Sequence, residues 1–220
     1  RRPLTERDTY GKAFIQVGNL WTKSEAVKRF VFAKRFARIA AELMGVPAVR
    51  LYHDQALFKE PGGGYTPWHQ DQVYWPLDTE NTITMWMPLV PLTREAGTLD
   101  FVSGSHRLGY ITKQVISDAS HKTLAQFIES RGLPVANHGP MQPGDATFHY
   151  GWTVHAAPGN GTNRMREVMT IIYYADGARL LEPDTHARRL DRDALLPDVE
   201  PGEPAAGKLT PLLYSSEENR

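Results

Sequence analysis

The 220-residue chain contains no cysteine. That absence removes disulfides, thiolate zinc sites, iron–sulfur clusters and cysteine nucleophiles, and leaves any metal to His, carboxylate or backbone oxygen ligands. An excess of either charge is also missing: 25 Lys and Arg balance 25 Asp and Glu, with a pI near 7.3. There is no long-range field to gather phosphates, so no nucleic-acid partner is expected. No run approaches the roughly 18–20 apolar residues of a membrane span, and Arg1 to Gly18 holds no apolar signal segment. The expectation is therefore no membrane partner and a cytoplasmic location. Repeats and low-complexity blocks are absent too. What is present is an ordinary globular composition, 41% hydrophobic and 23% charged, in a length that sandwiches and barrels often fill as one unit.

Residues 22–45 read as helical, with Ser24 as cap and Val27, Phe30, Val31, Phe36, Ile39, Ala40, Leu43 and Met44 at helical spacing, in one run or two short helices parted near Phe32, before Gly45 and Pro47 stop the run. Short β-type runs follow at 48–59, 82–89, 97–102, 145–150 and 166–175, punctuated by Gly and Pro turns. Many short strands between such turns predict a mainly β fold with flanking helices, a sandwich or jelly roll. One further helix is predicted over 120–131, with Ser120 as cap, as a surface excursion between strands. From Asp176 onward periodicity fades and prolines recur, so 176–220 is expected to wrap the core as a tail, giving one domain whose core spans 48–175.

The chemistry concentrates in Pro67-Trp68-His69-Gln70-Asp71. On an extended strand, residues two apart share a face, so the His69 imidazole and the Asp71 carboxylate can converge. Eight His and twelve Asp in 220 residues give roughly 0.4 His-x-Asp triplets by chance, so the triplet alone is weak. His155, late in the run from Gly144 to His155, offers a third ligand. Two His and one carboxylate on one face of a metal form the facial triad of non-haem Fe(II) oxygenases. Arg166 stands at the start of the following β-run, and its guanidinium suits a carboxylate such as the far end of 2-oxoglutarate. A rim salt bridge with Glu167 or Asp176 competes for Arg166, and Arg164 competes for its role.

These blocks together resemble the phytanoyl-CoA dioxygenase family of Fe(II)/2-oxoglutarate-dependent oxygenases. The resemblance runs from about Leu51 to Tyr174, through Trp68-His69-Gln70-Asp71-Gln72-Val73-Tyr74-Trp75-Pro76, Met85-Trp86-Met87-Pro88-Leu89 and Gly97-Thr98-Leu99-Asp100-Phe101-Val102-Ser103-Gly104-Ser105-His106-Arg107, to the spacing of His155, Asn160 and Arg166, with a looser echo at Pro211-Leu212-Leu213-Tyr214. It implies a double-stranded β-helix (a cupin-like jelly roll) that holds Fe(II) on His69, Asp71 and His155 and clamps 2-oxoglutarate with Arg166. Gln55 and Trp86 fall at positions where the family contacts 2-oxoglutarate. Ala157 departs from the family, which often carries Ser there, so one hydrogen bond to the co-substrate is absent or supplied elsewhere. In related halogenases a small residue replaces the carboxylate, so Asp71 favours hydroxylation, or another oxidative outcome, over halogenation. The implied reaction consumes 2-oxoglutarate and O₂, oxidises a C–H bond of a small molecule and releases succinate and CO₂.

Around the site, Tyr74, Trp75, Trp152, His149, Tyr150 and Gln72 are candidates for the pocket wall, with core packing as the default for aromatics on strands. A kink at Gly151 and Trp152 is expected to part His149 from the face of His155, leaving it a core histidine or one supporting a ligand. His106 reads as structural, and His53, His121, His138 and His186 as solvated surface. Arg188, Arg189 and Arg192, interleaved with Asp191 and Asp193, read as a mixed surface. Two rival functions stay open: a metal-dependent jelly-roll dioxygenase or isomerase that dispenses with 2-oxoglutarate, and a non-catalytic binding homologue. The substrate is not legible, and monomer and homodimer remain equally open.

Overall fold

The computed structural model describes residues 2–217. Asp8 accepts the Gly11 N–H and starts a short helix, α1 (Thr9–Ala13), followed by strand β1 (Ile15–Gly18). The expected helical stretch is two helices, α2 (Glu25–Val31) and α3 (Lys34–Met44), parted at Phe32 and Ala33. Ser24 caps the first and Gly45, at φ 68°, closes the second. The chain continues through β2 (Ala48–Lys59), β3 (Thr66–His69), β4 (Thr82–Pro88) and β5 (Asp100–Val102) to α4 (Asp118–Arg131). Then come β6 (Val135–Asn137), β7 (Thr147–Tyr150), β8 (His155–Ala157), β9 (Arg166–Ala175), α5 (His186–Leu195) and β10 (Leu212–Ser215). No helix among the described residues is long and apolar enough to cross a membrane.

The strands form two antiparallel sheets, β1-β2-β9-β4-β7 and β3-β8-β5-β6. β10 shares the outer edge of β2 with β1: β1 pairs with Gln55 to Phe58, β10 with Ala48 to Arg50. This is the mainly β architecture with flanking helices, a double-stranded β-helix.

Alternation along the strands of the larger sheet separates its two faces. In β4, Ile83, Met85 and Met87 pack with Phe36, Ala40 and Met44 of α3, while Thr84 and Trp86 look into a cavity between the sheets. In β9, Met169, Ile171 and Tyr173 join the helix side, and Arg166, Thr170 and Ile172 join the cavity side. Strand β2 needs a correction of phase to do the same. Its register against β9 slips between Leu51 and His53, and this bulge turns His53, Gln55 and Leu57 inward although Leu51 faces the helices. Ile39 and Leu43, at helical spacing in the sequence, lie on the outer side of α3 and are exposed.

Two expectations about helices change. The cap of α4 is Ser117, whose Oγ accepts the Ser120 N–H while the Ser120 Oγ accepts the Ser117 N–H, a reciprocal capping box. Nor is α4 an excursion: Leu124 and Ser120 are fully buried, and Ser120 donates to the Trp68 carbonyl, bracing β3. The tail holds α5, which the sequence reading left unassigned because the segment is mostly charged. Thr185 caps it, accepting the Arg188 N–H. Its last residue, Leu195, and beyond it Leu196, Val199 and Ala205 build a second core with Tyr52, Trp75, Ile172 and Tyr174.

Candidate metal and co-substrate site

Strand β3 ends at His69 and the chain turns into a 3-10 segment, Asp71–Tyr74. The shared-face argument for His69 and Asp71 therefore needs correcting, since Asp71 is off the strand. What brings it back is the turn, fixed by the buried Gln70. Its Nε2 donates to the Gly109 and Trp152 carbonyls, both at 2.8 Å, and its Oε1 accepts the Ile111 N–H. His69 and His155 are register partners across β3 and β8, so their rings meet directly, with centroids 4.1 Å apart.

One ligand atom from each of His69, Asp71 and His155 lies within 4.8 Å of the others. Asp71 Oδ1 sits 3.4 Å from His69 Nε2 and 3.8 Å from His155 Nε2. Both imidazoles donate Nδ1–H to a backbone carbonyl, Pro67 at 2.8 Å and Thr153 at 3.0 Å. That leaves both Nε2 lone pairs aimed at one point beside Asp71. The other carboxylate oxygen, Oδ2, accepts from Thr84 Oγ1 at 3.2 Å and from His149 Nε2 at 3.3 Å. Burial pushes the Asp71 carboxyl up, but His155, His149 and His69 outweigh it and hold it well below the usual range. Burial, with His69 and His149 nearby, pushes His155 well down. An ionised Asp71 and a neutral His155 are the protonation states a divalent cation requires of such groups. The donor set thus fits a transition metal held on one face, two nitrogens and an oxygen, with open positions left over.

The kink expected at Gly151 is present. A Cβ there would collide with the side chains of Gln72, Thr82 and Trp75, and the chain crosses at this point from β7 in one sheet to β8 in the other. His149 and His155 thereby leave a common strand, yet their rings meet across the interior at 4.3 Å. His149 braces the Asp71 carboxylate through Nε2.

Arg166 is 2% exposed and lines the same cavity, of about 280 Å³. Among the described residues no salt bridge holds it, and Asp176 pairs with Arg50 at 2.5 Å. Its Nη1 donates to the Gly97 carbonyl at 2.9 Å and its guanidinium lies 5.7 Å from the Trp86 ring, while its buried Nε has no partner among the described residues. Burial alone lowers it to about 10. Arg164 is exposed and outside the cavity lining. Gln55 and Trp86 both line the cavity. Ala157 faces Thr66 across β8 and β3; Thr66 lines the cavity, and its Oγ1 accepts from Lys59 Nζ at 3.3 Å.

Of the other wall candidates, Tyr74, Trp75 and His149 line the cavity. Gln72 instead bonds Thr82 and the Thr79 carbonyl. His106 stacks on Tyr150 at 4.9 Å. The surface assignment fails for His53, which is buried in the cavity wall and lowered to about 4 by burial. It fails for His121 as well, whose Nδ1 accepts the Trp68 N–H. His138 and His186 are exposed. Among the arginines of the tail, Arg188 pairs with Asp184 and Arg192 with Asp193 and Glu200, the mixed surface expected. Asp191 between them is different: it lines the cavity and accepts from Tyr52 Oη at 3.1 Å. Thr84, Thr66 and Gln70 have no place among the sequence expectations, and Asp191, expected on a mixed surface, lines the cavity instead. Only Thr84 carried a signal, its alternation with Trp86 on β4.

Fold and site define the class: a jelly roll whose inner face presents a His-x-Asp…His set beside a buried arginine. The family described as phytanoyl-CoA dioxygenase (PhyH) matches residues 1–168, and the chain belongs to it. A methylphosphonate hydroxylase of Gimesia maris is 33% identical over 138 residues, covering 62% of this chain and 49% of that protein. A 2-aminoethylphosphonate dioxygenase of an uncultured bacterium is 26% identical, covering 77% of this chain and 62% of that one. The chain thus spans about half to three-fifths of the length of these relatives. Among solved structures, the epimerase SnoN in complex with Fe3+, alpha ketoglutarate and nogalamycin RO superposes with a TM-score of 0.76 at 26% identity, covering 92% of this chain and 79% of that one.

Proposed function

We propose that the protein is an Fe(II)- and 2-oxoglutarate-dependent dioxygenase that hydroxylates a C–H bond of a small organic molecule. The observation that carries this reading is the co-location, in one cavity, of the three ligand atoms within 4.8 Å and a buried arginine with an unpartnered Nε. A jelly-roll metal enzyme without 2-oxoglutarate gives no reason to bury that cation, which is costly unless an anion compensates it. His69, Asp71 and His155 hold the metal. Arg166 takes the far carboxylate of 2-oxoglutarate, with Trp86 and Gln55 as further walls and Thr66 supplying the hydroxyl that Ala157 lacks.

Bound there, iron and 2-oxoglutarate supply the oxidising power, one oxygen atom of O₂ entering succinate and the other the substrate, with loss of CO₂. The chain's own contribution is placement. Thr84 and His149 hold Asp71 so that Oδ1 faces the two imidazoles, and the Pro67 and Thr153 carbonyls fix both tautomers. The aromatic walls keep water from the reacting carbon. The domain reading that accompanies this is a single unit, core 48–175 with the helices 22–45 and the tail 176–220 folded on it, supported by the pairing of β10 with β2.

The test is anaerobic titration with Fe(II) and 2-oxoglutarate, then a succinate-release screen over small molecules in air. Wild-type protein should bind both with unit stoichiometry and release succinate in a substrate-dependent way. Asp71→Ala and His69→Ala should retain the circular dichroism of the fold but neither hold iron nor form succinate. Robust turnover by either variant would sink the ligand assignment.

A further inference from the structure

The cavity has two ends. Arg166 lies at one, among Leu57, Trp86, Leu99 and Ala157. Six residues further along β9, about 20 Å of strand, Ile172 packs in the second core, under Tyr52 and Trp75. At that other end the wall is Tyr10, Tyr74, Ile116, Leu190 and Asp191. The Asp191 carboxyl is half-buried there, its Oδ2 bonded to Tyr52 and its Oδ1 without a hydrogen-bond donor among the described residues. Burial, and after it the charges of Asp71 and Asp191, raises the phenols of Tyr10 and Tyr74 and keeps them protonated.

Charge then decides what this end can receive. Arg166 is the one Lys or Arg among the described residues that line the cavity. Lys59 stands beside it on β2 but is itself outside the lining, its amine given to the Gly64 and Pro158 carbonyls and to Thr66 Oγ1 and lowered to about 6 by burial, then by Arg166. His53 is neutral. In the loaded site the charges of Fe(II), ionised Asp71, dianionic 2-oxoglutarate and Arg166 sum to zero. Asp191 is what remains. An anionic substrate would meet an uncompensated carboxylate and no free cation, in surroundings where like charges cost several kcal/mol. Burial raises Asp191 to about 7, so its ionised form is the one a positively charged or strongly donating ligand would stabilise.

We propose that Asp191 sets the substrate class: an uncharged or cationic small molecule with an apolar, ring-sized body, held at Asp191 through an ammonium or hydroxyl donor, and not a phosphonate or other anion. This rests on the reading of the cavity as an Fe(II)/2-oxoglutarate site. It separates the chain from relatives named for phosphonates.

The experiment uses the full chain loaded anaerobically with Fe(II) and 2-oxoglutarate, titrated by calorimetry with tyramine, with 3-(4-hydroxyphenyl)propionate and with methylphosphonate. The first two share a ring and differ in the charge of the arm. Tyramine should bind at least about tenfold more tightly than the propionate, one charge interaction's worth in a partly buried site, and methylphosphonate should give no binding heat. Asp191→Asn, which keeps an acceptor for Tyr52, should shrink the ratio to within about threefold, and Asp191→Glu should preserve it. Equal or tighter binding of either anion, no binding by either ring probe, or an unchanged ratio in Asp191→Asn overturns the proposal. The heats of Fe(II) and 2-oxoglutarate binding, recorded before any probe is added, keep the two ideas apart. Their absence refutes the dioxygenase reading itself, whereas their presence without a charge preference refutes only the role of Asp191.

Discussion

Replacing Arg166 by Met should do opposite things to the empty and the loaded protein. In the empty cavity the guanidinium has one carbonyl, Gly97, and one ring, Trp86. Its lowering from 12.5 to about 10 by burial corresponds to about 3 kcal/mol against the charged form. Removing it forfeits the Gly97 hydrogen bond, about 1 kcal/mol, while Met roughly conserves volume. The metal-free variant should therefore unfold at equal or higher urea concentration than wild type, with a gain of up to about 2 kcal/mol. Loaded protein should show the reverse. Loss of a buried, charge-assisted partner costs about 2–5 kcal/mol of ligand affinity, so 2-oxoglutarate should bind roughly 30- to 5000-fold more weakly. Urea unfolding of metal-free protein and anaerobic calorimetry of the Fe(II) form measure the two halves. If the metal-free variant loses more than about 2 kcal/mol, the guanidinium is structural. If 2-oxoglutarate binds within threefold of wild type, Arg166 is not its clamp.

Two further outcomes test the supports of the site. Thr84→Val and His149→Leu each remove a donor from Asp71 Oδ2, and each should weaken Fe(II) retention by about 10- to 100-fold in a competitive chelator titration; unchanged retention would show that Asp71 needs neither. Lys59 is lowered to about 6 by burial, then by Arg166, so between pH 6 and its ordinary 10.5 the unfolded chain binds the extra proton. Stability from this group should rise with pH across that window, by up to about 1.4 kcal/mol per unit, and be lost as the pH falls toward 6. Urea midpoints of Lys59→Met should lack that slope, and a parallel pH dependence in wild type and variant would refute it.

Much of the frame was legible because it depends on local patterns. The strand runs at 48–59, 82–89 and 166–175 carry their β-branched and aromatic residues between Gly and Pro turns, and helices 22–45 carry caps and stops. The His69, Asp71, His155 and Arg166 constellation was legible through family resemblance, since neither a His-x-Asp triplet nor a lone arginine is rare. What escaped depends on long-range pairing. The inward turn of His53 comes from a bulge that no residue type announces, and the seat of Asp71 comes from Gln70 bonding two carbonyls distant in sequence. The tail helix hid for a different reason: six of its ten residues are His, Arg or Asp, so its short apolar stripe, Ala187 and Leu190, was drowned by the charged side.

Helix α5 also lies beyond the stretch matched to the family, residues 1–168. The atoms that would hold iron and 2-oxoglutarate belong to β2, β3, β4, β8 and β9 and the turn after β3, whereas Ala187, Leu190 and Asp191 belong to a separate, late segment of chain. The carboxylate proposed for recognition is thus written in a different part of the gene from the ligand atoms. Exchanging the segment after Ala175 for that of another family member would re-write the tail's share of the far wall, Leu190 and Asp191, while leaving every ligand atom in place. Such a graft must carry its own equivalents of two joints, Tyr52 to Asp191 and Arg188 to the Val73 carbonyl, because these polar bonds seat the helix on β2 and on the turn after β3. Diversification by tail exchange, at constant chemistry, is the evolutionary route this layout leaves open.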